Sequence, residues 1–94
     1  MSGEPASQLE DVLSNLVFMR GANRQLRELT LEDVRSRADE LRSTIGWGPT
    51  ARVAPIARAW AELAKEMERA GAQTVAEMPG ETMLDVGPRM WVKL

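Results

Sequence analysis

Residues 30–49 read TLEDVRSRADELRSTIGWGP, and the fold turns on how this stretch is read. Thr30 is a helix-capping residue type. Glu32 and Asp33 follow in the first turn, beside free backbone N–H groups and the positive end of the helix dipole. Leu31, Val34, Ala38, Leu41 and Ile45 then recur at spacings of three, four, three and four. That rhythm draws one apolar stripe along a helix. Gly46 stops it, and Gly46-Trp47-Gly48-Pro49 forms the clearest turn in the chain. Beyond the turn, Val53, Ile56, Trp60, Leu63, Met67 and Ala70 repeat the rhythm up to Gly71. Pro55 falls in the first turn, where its missing N–H costs nothing. Two strict stripes joined by a short glycine-rich turn predict an antiparallel helix hairpin.

Upstream, residues 1–6 are small and polar and read as a flexible N-terminus. Ser7 and Glu10 have the spacing of a capping box. A first helix is expected from Gln8 to Leu29. At about 100° per residue, Leu9, Val12, Leu13 and Leu16 share one face, with Met19 and Leu26 at its edge. Phe18, Ala22 and Leu29 point the opposite way. Leu16-Val17-Phe18-Met19 is thus apolar around a full turn, and Gly21 marks a bend just beyond it. A bundle buries one side of such a helix easily and the opposite side only with extra cover. Phe18, Ala22 and Leu29 are therefore candidate partner-binding residues.

Downstream, Thr74 and Glu77 suggest a short helix that ends at Met78-Pro79-Gly80. Residues 79–94 read as an extended tail, or two very short strands around Gly87-Pro88, packed on the bundle or on a partner. Trp91 is its natural anchor. The expected fold is thus mainly α: a small helical bundle over residues 7–78, with an antiparallel helix hairpin and a non-helical C-terminal tail.

The chain of 94 residues holds one domain, with a net charge of −2. Apolar residues make up 44% and charged residues 28%, so the composition is globular. There is no cysteine, histidine or tyrosine. This removes disulfides, thiolate zinc sites, and the commonest general base and transition-metal ligand. No glycine-rich phosphate loop or dinucleotide fingerprint occurs. Asp39 with Glu40, and Glu62 with Glu66, are the best carboxylate pairs, but each is interleaved with cations in the pattern of a solvated, ion-paired face. No enzyme, cofactor or metal is expected. No apolar run approaches the ~20 residues of a membrane span, and the acidic start Met1-Ser2-Gly3-Glu4-Pro5 does not look like a signal peptide, so a cytoplasmic location is expected.

Three further signals bear on partners. Thr30-Leu31-Glu32-Asp33-Val34, with Ala38 and Ser43-Thr44-Ile45, resembles the helix-turn-helix opening of repressors of the lactose-repressor class, which implies a small DNA-associated regulator. The sequence departs from that motif at Arg35, Asp39, Glu40 and Leu41, where its geometry is set, and Leu41 instead completes the stripe of a continuous helix. Arg20, Arg24 and Arg27 form a short basic stripe, with Arg35 and Arg42 as further cations, but the nearly balanced charge disfavours nucleic acid. Pairing with Glu28 or Glu32 is the simpler expectation. Trp47, between two glycines, is a residue type enriched at interface hot spots. The hairpin with its tryptophan-glycine turn resembles the secreted WXG100 proteins in architecture. It departs from them in the order of the turn residues and in lacking any tyrosine. The reading that best joins these signals is a non-catalytic protein-binding module (an adaptor, regulator or assembly subunit) engaging a protein partner or a second copy through Phe18, Ala22, Leu29, Trp47 and Trp91.

Overall fold

The structure, a computed structural model, describes residues 5–19, 21–44 and 53–91. Within them lie helices α1 (Pro5–Leu13), α2 (Leu31–Thr44), α3 (Val53–Ala70) and α4 (Gly80–Val86), and an antiparallel pair of strands, β1 (Leu16–Met19) and β2 (Ala22–Gln25). Short 3-10 turns cover Leu26–Glu28, Val75–Glu77 and Gly87–Met90. The described chain is thus mostly helical, with one small sheet. Residues 45–52, which include Trp47, lie outside the described residues.

α2 is one unbroken helix through Asp39, Glu40 and Leu41, where a helix-turn-helix motif would bend. Its start is fixed reciprocally. The Asp33 N–H donates to Thr30 Oγ1 at 3.2 Å, and the Thr30 N–H donates to Asp33 Oδ2 at 3.1 Å. Two donors that the helix leaves unmatched are satisfied in this way. The 6% exposed Asp33 is therefore buried with hydrogen bonds in place.

α3 is the central element. Trp60, Leu63 and Met67 are almost wholly buried, and they meet Val34 and Ala38 of α2 in the core. Arg35, near the start of α2, pairs with Glu68, near the end of α3. α3 closes at Gly71, whose φ of +72° admits glycine without strain. The Ala72 N–H donates to the Met67 carbonyl at 3.0 Å, and the Gly71 N–H to the Glu68 carbonyl at 3.3 Å. This is the Schellman arrangement, and the buried pair Met67 and Ala72 supplies its apolar contact.

The expected first helix is corrected twice. It begins at Pro5 rather than at Gln8, and it ends at Leu13 rather than at Leu29. Residues 16–25 form a β-hairpin instead, with Met19 paired to Ala22 across the turn. The physical reason lies in Leu16-Val17-Phe18-Met19. Four apolar residues in a row have too many sides for a surface helix. In a strand they alternate, with Val17 and Met19 buried and Leu16 and Phe18 outside. Gly21, at φ +80°, supplies the positive φ that a tight hairpin turn requires.

The tail is also corrected. Residues 80–90 are helical, not extended. Met83, Val86 and Met90 lie at helical spacing and are all buried. Gly80 and Gly87 do not act as turns here. They let α1 approach: a Cβ at Gly87 would lie 2.3 Å from Val12 Cγ1, and one at Gly80 would lie 3.1 Å from Leu9 Cδ2. The indole N–H of Trp60 donates to the Met90 carbonyl at 3.3 Å and fixes this segment to α3. Arg89 adds bonds to Glu62 at 2.9 Å and to Asp85 at 3.2 Å. The hydrogen bond to Glu62 is the main reason its guanidinium pKa is raised, with the charges of Glu62 and Asp85 assisting against slight desolvation.

Backbone bonds tie the two halves together. The Val75 N–H donates to the Leu29 carbonyl at 2.9 Å, and the Leu31 N–H to the Gln73 carbonyl at 3.0 Å, flanking a bridge between Thr30 and Thr74.

Candidate binding face

The β-hairpin carries the large apolar side chains that the described fold leaves exposed. Leu16 is 61% exposed and Phe18 is 64% exposed. They stand on the same face of β1, because alternate residues of a strand point the same way. Val17 and Met19 point inward and anchor the strand to the core.

The hairpin register also fixes which backbone groups are free. In an antiparallel pair, residues opposite one another alternate between hydrogen-bonded and non-hydrogen-bonded pairs. The Leu26 N–H donates to the Asn15 carbonyl at 2.8 Å, so Asn15 and Leu26 are a bonded pair. Counting along the register, Val17 with Arg24 and Met19 with Ala22 are bonded pairs as well. Leu16 with Gln25 and Phe18 with Asn23 are not, so their peptide groups point sideways to the outer edges of the hairpin. On the β2 side, the Gln25 N–H is taken by Glu28 Oε2 at 2.9 Å. On the β1 side, the outward groups belong to Leu16 and Phe18. Among the described residues no further strand pairs with either edge.

Phe18 and Met19 also border an open groove of about 410 Å³, whose other wall is Ser36, Arg37 and Glu40 of α2. Arg37 is held in place there. Its guanidinium pairs with Glu40 at 3.2 Å and lies 5.9 Å from the centre of the Trp60 ring.

The residues expected to form one face are dispersed. Phe18 is on the exposed face, and Ala22 is exposed beside the hairpin turn. Leu29 is corrected from surface to core: it is fully buried in the main cluster. The three share a face only on a helix, and the chain is not helical there. Trp91 is half-buried and meets Trp60 edge-on, with ring centres 6.2 Å apart. Trp47 lies outside the described residues. Leu16, assigned by helical periodicity to the core side, is the residue that reasoning missed. Alternation along four successive apolar residues before a glycine was the signal that would have found it.

Several of the charged candidates form ion pairs. Arg27 bonds Glu10 rather than Glu28 or Glu32, while Glu28 caps Gln25. Glu62 pairs with Arg89, and Glu66 with Arg69 at 3.5 Å. Among the described residues no group of three or more potential ligand side chains is placed to hold a metal ion, and no helix is long and apolar enough to cross a membrane. No protein-family model matches the chain, and neither a curated protein nor a solved structure gives a match.

Proposed function

We propose that this chain is a non-catalytic protein-binding module, an adaptor or assembly subunit that binds through the outer face of its β-hairpin. The observation that carries this reading is the pair Leu16 and Phe18, each more than three-fifths exposed on one strand. Covering a side chain of this kind is worth about 1.5–3 kcal/mol. The face consists of Leu16 and Phe18, with Ala22 at its rim, and Leu29 lies in the core behind it. Trp47, in the sequence between α2 and α3, remains a second contact candidate, and we take these two helices to form an antiparallel hairpin. The Arg35–Glu68 pair at one end supports that arrangement, as does the grouping of Arg42 with Ala57 and Arg58 at the other.

A photoreactive amino acid in place of Leu16 tests the reading. Irradiation should crosslink it to protein, and adding Phe18→Glu should abolish the product. Crosslinking that is absent, or that survives Phe18→Glu unchanged, would contradict it.

A further inference from the structure

The two edges of the hairpin are not equivalent. The β2 edge carries Asn23 and Gln25, and the Gln25 N–H is already occupied by Glu28. The β1 edge carries the peptide groups of Leu16 and Phe18, and β1 contains no charge, no proline and no glycine. Soluble proteins usually protect an edge with such residues, because an open apolar edge is a template for another strand.

The open positions of this edge are symmetric about Val17. A two-fold axis through Val17 sets Leu16 opposite the partner's Phe18, and Phe18 opposite the partner's Leu16. Each is then a hydrogen-bonded antiparallel pair, so the N–H and C=O of both residues are satisfied in both copies. The same operation places the Leu16 side chain beside the partner's Phe18 on the outer face, an apolar–aromatic cross-strand pair. With no charge on the strand, no like charges meet. The edge is therefore complementary to itself in hydrogen bonds and side chains, and no charge on the strand opposes the pairing.

From this we infer that the partner at the hairpin is a second copy of this chain. The two β1 strands join antiparallel about Val17 and make a four-stranded sheet in the order β2-β1-β1-β2. The inference rests on the reading of the hairpin as a binding face and names its occupant. A four-residue edge covers far less than the ~1,200 Å² at the low end of stable interfaces. The dimer is accordingly reversible and forms as concentration rises.

The test combines mass with amide exchange on the whole chain. Sedimentation velocity from micromolar to millimolar concentration should show the mass doubling, and Phe18→Glu should hold it at the monomer value. Phe18 is exposed, so this variant should fold, which far-ultraviolet circular dichroism checks. Across the same range, amide exchange at Leu16 and Phe18 should slow, while the outward amide of Asn23 on the other edge should not change. A monomer at every concentration would overturn the inference. So would a dimer in which the Leu16 and Phe18 amides exchange as fast as in the monomer. Either result leaves the hairpin open to a different protein, and the crosslinking experiment on position 16 decides that reading separately.

Discussion

Phe18 is 64% exposed and Leu29 is fully buried, although helical periodicity groups them together. Substitution separates the two arrangements. Leu29→Ala should cost about 2–5 kcal/mol, as truncation of a buried leucine does. Phe18→Ala should change stability by no more than ~0.5 kcal/mol. Denaturant midpoints of the two variants check this, and equal losses would put both residues in the core. Gly87 gives a second prediction. Its backbone is right-handed helical, so alanine meets no conformational penalty, but the new Cβ collides with Val12. Gly87→Ala should destabilise by about 1–3 kcal/mol through overpacking. Gly87→Ala with Val12→Ala should recover part of that loss. Absence of recovery would mean the two residues do not touch. Residues such as Trp60, Leu63 and Met67 were legible as core because each lies on a strict stripe. Gly87 was not, because a glycine chosen for close approach looks in sequence like a glycine chosen for a turn.

Elements were legible where local signals agreed. α2 and α3 carry caps, stripes and a terminal glycine that all point one way, and both helices are present. At the start of α2, Thr30→Ala removes the acceptor for the Asp33 N–H. It should cost about 1 kcal/mol, readable as a shift in thermal midpoint. No shift would show that the cap is not formed in solution. Residues 8–29 were read as one helix because Leu9, Val12, Leu13 and Leu16 keep helical spacing past the true end at Leu13. Two periods overlap at Leu16, which fits both the last turn of a helix and the first position of a strand. The β-branched and aromatic pair Val17 and Phe18, followed by Gly21, settles the matter in favour of a hairpin. α4 went unread for the opposite reason. The helical spacing of Met83 and Val86, continued by Met90 in the following 3-10 turn, is present in the sequence, but Gly80, Gly87 and Pro88 suggest a break. Pro88 sits at the start of the last 3-10 turn, where it forfeits no hydrogen bond.

At the scale of the whole molecule, α3 organises the rest. α2 packs on it at one side and the C-terminal segment at another, joined by the Trp60–Met90 hydrogen bond and the edge-on contact with Trp91. The ion pairs at the surface, including those of Arg89, contribute little because water screens them. Trp60→Phe should therefore cost more than Arg89→Ala. It deletes the buried donor to Met90 and should destabilise by about 1–2 kcal/mol, measured by urea denaturation, and a smaller loss than for Arg89→Ala would refute that ranking. The core also uses Met19, Met67, Met78, Met83 and Met90, flexible side chains that fill irregular gaps between short elements. Such a core holds the hairpin by its inner face, through Val17 and Met19, and leaves Leu16 and Phe18 exposed on the outer one.

The hairpin decides everything claimed for the binding face, so the most direct test is nuclear Overhauser spectroscopy across it in a dilute, monomeric sample. Strong Hα–Hα contacts are expected between Leu16 and Gln25 and between Phe18 and Asn23, the two non-hydrogen-bonded pairs of the register. Successive amide-to-amide contacts running from Leu13 through Leu29, without those cross-strand signals, would mean that one continuous helix occupies this stretch and that the exposed edge does not exist.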